Sequence, residues 1–339
     1  MTKKITLLAI SFLLITSCSH MGTLNRKKHV YGKQPKKIIW IQIAGLDEEH
    51  VAMLRFNYPD ENTRTSFEES TCIGKIWNYN LYNLRPAPYQ GFISQIVGRE
   101  NIKNSCADYG HRPIWSYLHE LGYDTGIFES VSAPCESLDR AWNCGKEGKI
   151  FYENIYFWKM GRASMEEKLF HFQDKHPFVE KGIYYDKTCQ SGTCFASISS
   201  NVGSIFKRFS VGKTRYLFII RDFSYFNALK NKKIGEARSI LGELDKMIAI
   251  FQEKTKQHDD ILILVTSSGT KNFEFPEKGR EWAEFESKGE HVLYRKSSLL
   301  SPVFSTGAGS ENFCGFYKEV EIFKRLLFIE KRKRIIDWF

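Results

Sequence analysis

Three short apolar runs and one long amphipathic period set the frame of this chain. Ile38-Ile39-Trp40-Ile41-Gln42-Ile43, inside Lys36 to Leu46 and ending at Ala44-Gly45, reads as a buried strand. Two runs of the same kind follow much later, Arg215 to Ile220 and Ile261 to Val265. Unbroken apolar runs of this length are what parallel strands look like when both faces of a sheet are covered. Between the last two, Ile240, Leu241, Leu244, Met247, Ile248 and Phe251 recur at helical spacing from Glu236 to Lys256, with charges filling the other face. Strand, helix, strand is the βαβ unit of an α/β fold. A second helix is expected from Pro113 to Leu121, opened by proline and closed by Gly122. A third is expected from Phe316 to Glu330, after Gly315.

Other stretches break this rhythm. Ser130 to Ser200 holds four cysteines and many aromatics (Trp142, Phe151, Tyr152, Tyr156, Phe157, Trp158) without a long strand pattern. It reads as an insertion or cap, about 130–200, stapled by disulfides. Residues 18–35 are polar and basic and read as a tether. Ahead of them, Lys3 and Lys4 start a segment that is apolar from Ile5 to Ile15 apart from Thr6 and Ser11, and closes with Thr16-Ser17-Cys18. That is the form of a secretory signal, 1–17, too short to span a bilayer as a mature helix. A cysteine directly after the small residues resembles the lipobox of bacterial lipoproteins. The resemblance implies cleavage before Cys18, with acylation of its thiol and of the new amino terminus. The membrane is then a partner through lipid on Cys18, and 36–339 forms a single domain in the cell envelope. Ser19, where an aspartate would resemble the inner-membrane retention signal, favours the outer membrane over the inner.

Composition narrows the class. Hydrophobic residues are 42% and charged ones 26%, the balance of a water-soluble globule. The net charge of +10 is spread along the chain except for the run Glu330-Lys331-Arg332-Lys333-Arg334. Outside the cytoplasm this points to anionic lipid head groups or cell-wall polymers, and not to nucleic acid. Besides Cys18 there are seven cysteines, which in an exported chain are expected to form disulfides. Cys135 with Cys144 and Cys189 with Cys194 close short loops and are the natural local pairs. Cys72 with Cys106 follows by elimination, and Cys314 is left as a buried free thiol. No CxxC recurs at the spacing of a zinc knuckle.

The order of the strand ends is similar to that of the alkaline phosphatase superfamily, with its sulfatases and nucleotide pyrophosphatases. IIWIQIAGL resembles that family's opening strand, which ends in Asp-Gly. IWSYLHELGYDTGIFE, Ile114 to Glu129, is similar to its helix, Gly-Tyr turn and strand. Ser239 to Thr270 resembles the segment leading to its Ser-Asp-His-Gly, and Ser301 to Leu327 its closing Pro-Val-Phe, Gly-rich turn and helix. The resemblance implies a three-layer α/β/α sandwich around a mostly parallel sheet. It also implies two metals, usually zinc, held by Asp and His at the strand ends beside a Ser, Thr or modified Cys nucleophile.

This chain departs from that pattern nearly everywhere. The first metal-binding Asp falls on Ala44 and the nucleophile on Pro88. Asp222 fits a ligand, yet the His four residues later is Phe226. The Asp-His pair falls on Ser268 and Gly269, and the last His on Lys296. The leading expectation is therefore a lipid-anchored pseudoenzyme with no catalytic residues, no metal and no cofactor. Asp222, Ser268 and Lys296 would bind an anionic ligand such as a phosphate or sulfate group in the old cleft. Two other readings stay open. A hydrolase of phosphate or sulfate esters, with zinc on displaced ligands, requires Asp222, Asp47 and one of His111, His119 or His291 to converge, with Thr71 or Cys72 as a nucleophile. A structural lipoprotein would instead show an exposed apolar patch on the 130–200 insertion. Gly212-Lys213-Thr214 lacks the upstream glycine and following helix of a phosphate loop.

Overall fold

The first apolar run forms β1 (Lys37–Ala44), buried at every residue after Lys37. The computed structural model of the chain describes residues 35–57, 63–130, 133–160 and 198–327. The signal, Cys18, the tether up to 34, Cys189 and Cys194 lie outside the described residues. β1 pairs in parallel with β5 (Tyr216–Asp222) on one side and β6 (Ile261–Ser268) on the other. Beyond β5 lie β3 (Asp124–Ser130) and β4 (Ile155–Met160), also parallel. Beyond β6, β9 (Leu300–Gly307) runs antiparallel, followed by β2 (Cys72–Trp77) and by β10 (Gly315–Lys318) parallel to β2. The eight-stranded order is β10-β2-β9-β6-β1-β5-β3-β4, and β7 (Phe273–Glu274) pairs with β8 (Leu293–Tyr294) as a separate ribbon.

Alternation along β1 divides the interior in two. Ile39, Ile41 and Ile43 join a core with Leu241, Leu244 and Ile248 of the helix Ile234–Gln257. Ile38 and Trp40 join the opposite core, with Ile93 and Ile96 of the helix Pro88–Val97 and Trp115 and Leu118 of the helix Ile114–His119. Helix, sheet and helix make the expected three-layer α/β/α sandwich. Both faces are covered, and each fully buried Ile or Leu contributes roughly 1.5–3 kcal/mol. Among the described residues no helix is long and apolar enough to cross a membrane.

Three expectations change. The closing helix does not begin at Phe316: Gly315–Lys318 is an edge strand, and helix runs only from 321 within the described residues. Pairing with β2 wins there over local helical spacing, in the register Gly315↔Gly74 to Lys318↔Trp77. The disulfides also differ, being Cys72–Cys314 and Cys106–Cys144, with Cys135 free. The β2–β10 register draws the Cα atoms of Cys72 and Cys314 to 5.4 Å. Cys106 opens a short helix and Cys144 caps the helix Gly145–Tyr152, which brings their Cα atoms to 5.2 Å. Spatial pairing of distant elements, not loop length, decides both bonds. Peptide mapping without reduction should recover Cys72 linked to Cys314; a Cys72–Cys106 or Cys135–Cys144 peptide would contradict this arrangement. Finally, the stretch expected as an insertion contributes β4 to the central sheet, while residues 161–197 lie outside the described residues.

Candidate functional site at the strand ends

Ala44, Asp222 and Ser268 end three adjacent parallel strands, paired Ala44↔Ser268 and Ile43↔Asp222. In open α/β sheets ligands are held at this carboxyl edge. Pro88 arrives there because it opens the helix Pro88–Val97, where a missing N–H costs nothing. A Cβ on Gly269, at φ +63, would stand 2.6 Å from Pro88 Cγ, so the two chains meet closely. Phe226 presses on Gly45 in the same way, 2.8 Å from where a Cβ would sit. Ala44, Phe92 and Phe223 form a small buried apolar cluster, with Tyr89 and Phe226 against it and the Phe92 and Phe223 rings edge to face at 5.5 Å. The fold thus brings Ala44, Pro88, Asp222, Phe226, Ser268 and Gly269 to one edge. Of these, only Asp222 carries a carboxylate, imidazole or thiol.

Asp222 is fully buried and already engaged. One carboxylate oxygen accepts the N–H and hydroxyl of Ser224, and the other accepts the N–H of Tyr225 at 3.1 Å, capping the helix Ser224–Lys230. Burial pushes its pKa up to about 6 against these donors. Ser268 is equally buried. A Cβ on Gly91 would overlap Ser268 Oγ and stand 2.6 Å from Glu319 Oε1, so the helix, the serine and the glutamate share one tight spot. Burial pushes Glu319 up to about 8, beyond the pull of Gln95 and Ser268. At neutral pH Glu319 is therefore a neutral acid, able to accept from Gln95 Nε2 at 2.9 Å and donate toward Ser268. Lys296 is exposed, on a segment that pairs through Arg295 N and Ser298 N with Asn272 O and Thr270 O. Asp222, Ser268 and Lys296, expected to share one ligand, thus stand in separate environments, two of them closed to solvent.

Beneath the aromatic cluster a polar row crosses the sheet, which the sequence reading did not single out. Trp40 Nε1 donates to Thr266 Oγ1, Thr266 donates to Gln95 Oε1, and Gln42 Nε2 also reaches Gln95. Arg221 Nε donates to Gln42 Oε1 at 3.1 Å, and its Nη1 pairs with Glu129. Ser137 Oγ and Leu138 N complete the Glu129 carboxylate. Four of these residues stand in register across adjacent strands, Glu129↔Arg221↔Gln42↔Thr266.

Asp47 lies past the end of β1 and is nearly buried, with its pKa raised to about 6 by burial and by Glu48. The histidine beside it is His50, not one of the three expected. His50 Nδ1 accepts the Asp47 N–H at 3.1 Å and faces Tyr225 Oη at 2.9 Å, while the ring stacks on Phe273. Burial drops its pKa to about 3, so it stays neutral. His119 lines a cleft of about 500 Å³ beside Asp124 and Ile155, at the opposite edge of the sheet. His291 bonds Glu284, in the middle of the helix Gly279–Lys288, at 2.5 Å. His111 precedes the helix Ile114–His119. Among the described residues, the ligand-type side chains that lie within 4.8 Å of one another in a group of three are Glu284, Glu290 and His291, so Asp47, Asp222 and a histidine do not converge. Thr71 is exposed, and Cys72 is closed in its disulfide.

No family model matches the chain, and no curated protein matches its sequence. Solved structures do match. Alkaline phosphatase from the Antarctic bacterium TAB5 superposes with TM-score 0.66 at 15% identity, covering 88% of this chain and 98% of its own. A cold-active alkaline phosphatase from Shewanella sp. gives 0.66 at 12%, covering 87% and 100%. The Thermus thermophilus alkaline phosphatase gives 0.62 at 9%, covering 91% and 95%. A variant of the TAB5 enzyme was solved with magnesium bound. The chain has the alkaline-phosphatase-like fold, as its strand ends led us to expect.

Proposed function

Starting from that fold, we propose that this chain is a non-catalytic, lipid-anchored envelope protein that acts by binding. The observation that carries the reading is the cluster of Ala44, Phe92 and Phe223, closed by Tyr89 and Phe226, at the strand ends where chemistry would need carboxylates and imidazoles. Zinc does not fit this donor set: among the strand-end positions Asp222 alone offers a ligand group, both its oxygens are taken by Ser224 and Tyr225, and the neighbouring Glu319 is held as a neutral acid against Gln95 and Ser268. Lipid on Cys18 would hold the protein in the envelope, preferentially at the outer membrane.

The ligand best suited to the rim is an anion of the phosphate or sulfate type. Lys271, half-buried, lies over the Phe226 ring at 5.3 Å, and burial together with the exposed Lys230 lowers its pKa. Two lysines in mutual repulsion gain most from an anion between them. Lys296 adds a further charge on the segment paired with residues 270–272.

The test uses the mature chain dialysed against zinc, magnesium and calcium. We expect no stoichiometric ion by elemental analysis and no hydrolysis of aryl phosphate or aryl sulfate. Calorimetric titration with inorganic phosphate should show binding that falls several-fold in Lys271→Ala. One or two tightly held ions with turnover lost in Asp222→Asn would replace this reading by an ester hydrolase. Phosphate affinity equal in wild type, Lys271→Ala and Lys296→Ala would end the anion reading alone.

A further inference from the structure

Among the described residues, seven of the eleven exposed large apolar side chains lie on β2, β10 and the loop after Trp77, whereas Trp142, Val211, Ile250 and Leu293 stand singly elsewhere. Ile73 and Trp77 of β2 and Phe316 of β10 point from the same face, since Phe316 pairs with Lys75 and Lys75 lies between the two. From Trp77 the chain enters a loop whose tip, Leu81 to Arg85, is exposed at every residue. Leu81 is 71% exposed and Leu84 59%, with Tyr79 and Tyr82 beside them. Scattered single apolar residues would need no explanation, but a contiguous group marks a contact surface.

The loop is held open by its own hydrogen bonds. Asn80 Oδ1 accepts from Tyr82 N and Asn83 N, and Asn80 N donates to Asn83 O. Leu81 N donates to Glu100 O and Arg85 N to Asn83 Oδ1. Backbone groups satisfied this way allow the side chains of the tip to leave water without stranding N–H donors, which a lipid environment penalises. Lys103 lies over the Tyr82 ring at 4.1 Å, and neither Lys103 nor Arg85 has a carboxylate partner among the described residues. Tyr and Trp with flanking cations are the side chains suited to the head-group layer, where rings have one dry and one wet end.

We propose that this corner docks on an anionic bilayer, with Leu81, Tyr82 and Leu84 inserted among head groups and Lys103 and Arg85 on the phosphates. β2 runs parallel to β1, because each is related to β6 through the pairings of β9 and β1, so the loop after Trp77 projects from the same edge as Ala44 and Ser268. Docking would turn the strand-end rim toward the membrane. The tether permits it: seventeen residues, 18–34, extend up to roughly 55–60 Å, whereas an eight-residue strand spans about 26 Å. The proposal is independent of whether the strand-end site is catalytic.

The experiment is flotation of the mature, non-acylated chain with vesicles of phosphatidylethanolamine and phosphatidylglycerol, against phosphatidylcholine alone. We expect binding to the anionic vesicles that weakens about tenfold or more in Leu81→Ser/Leu84→Ser, two exposed side chains moved from lipid back to water. Arg85→Glu/Lys103→Glu should remove the preference for phosphatidylglycerol. Both variants should keep the wild-type thermal midpoint, and hydrogen exchange should slow in residues 77–86 on vesicles. Equal vesicle binding by wild type and the leucine variant overturns the proposal. So does a chain that ignores vesicles but self-associates, with the association lost in the leucine variant, since the occupant is then a second copy.

Discussion

Glu129→Ala should cost about 3–5 kcal/mol of folding stability, the penalty for leaving one partner of a buried ion pair uncompensated. Glu129 and Arg221 are both inaccessible to solvent and pair across adjacent strands in register. Alanine removes the counter-charge and leaves Ser137 Oγ and Leu138 N without their acceptor. The guanidinium then has Gln42 Oε1 and the face of Phe223 for company, and water cannot reach it. Burial pushes the Glu129 carboxyl upward while Arg221 pulls it back, so neither partner is comfortable alone. A urea titration should show the loss as a lower midpoint at unchanged slope. The double variant Glu129→Leu/Arg221→Met should recover most of the loss, because an apolar pair of similar volume avoids both desolvation penalties. A loss below about 1 kcal/mol in the single variant would mean the pair is hydrated and the polar row is not a closed unit.

That row explains much of what the sequence could and could not tell. The strands Lys37–Ala44, Tyr216–Asp222 and Ile261–Ser268 were legible because burial on both faces leaves no room for alternation. Gln42 inside IIWIQIA and Arg221 directly after LFII were visible interruptions. Their meaning was not visible, since the partners lie far along the chain: 92 residues separate Glu129 from Arg221, and 224 separate Gln95 from Glu319. The same limit applies to Gly315–Lys318. Phe316 and Tyr317 suit a helix or a strand equally, and only the distant β2 decides. Disulfide connectivity inherits that ignorance, because Cys314 finds Cys72 through strand pairing.

The strand-end positions were legible as losses. Ala44, Pro88, Phe226 and Gly269 have no ligand chemistry in any conformation. What filled the space was not, because Phe92, Phe223 and Tyr89 sit in segments whose apolar residues read as ordinary core. His50 escaped for a related reason: a lone histidine after three acidic residues carries no pattern, and its burial against Phe273 and Tyr225 is a tertiary event. Glu319 fell inside the helix expected from Phe316 to Glu330, yet the turn after β10 buries it at the edge beside Ser268.

Glu319 gives the second large effect, and its sign is set by linkage. A carboxyl whose folded pKa is raised, here from 4.5 to about 8, binds a proton in the folded state that the unfolded chain has released. Its contribution is therefore fully present below pH 4.5 and is lost as pH rises toward 8. Across that window the loss is on the order of 4–5 kcal/mol. Asp47 and Asp222, raised from 3.8 to about 6, slope the same way but are finished by about pH 6. His50, lowered from 6.5 to about 3, slopes the opposite way and is finished by pH 6.5. Between pH 6.5 and 8 Glu319 acts alone among these four groups. Stability should fall there by on the order of 2 kcal/mol. Glu319→Gln holds the shape and hydrogen bonds of the protonated acid, with its amide oxygen for Gln95 and its NH₂ for Ser268, and has no proton to lose. Urea midpoints of the variant should stay level from pH 6.5 to 8, and at pH 8 it should be more stable than wild type. A wild type as stable at pH 8 as at pH 6.5, or a variant that keeps the same slope, would place the proton elsewhere and reopen the edge of the sheet to solvent.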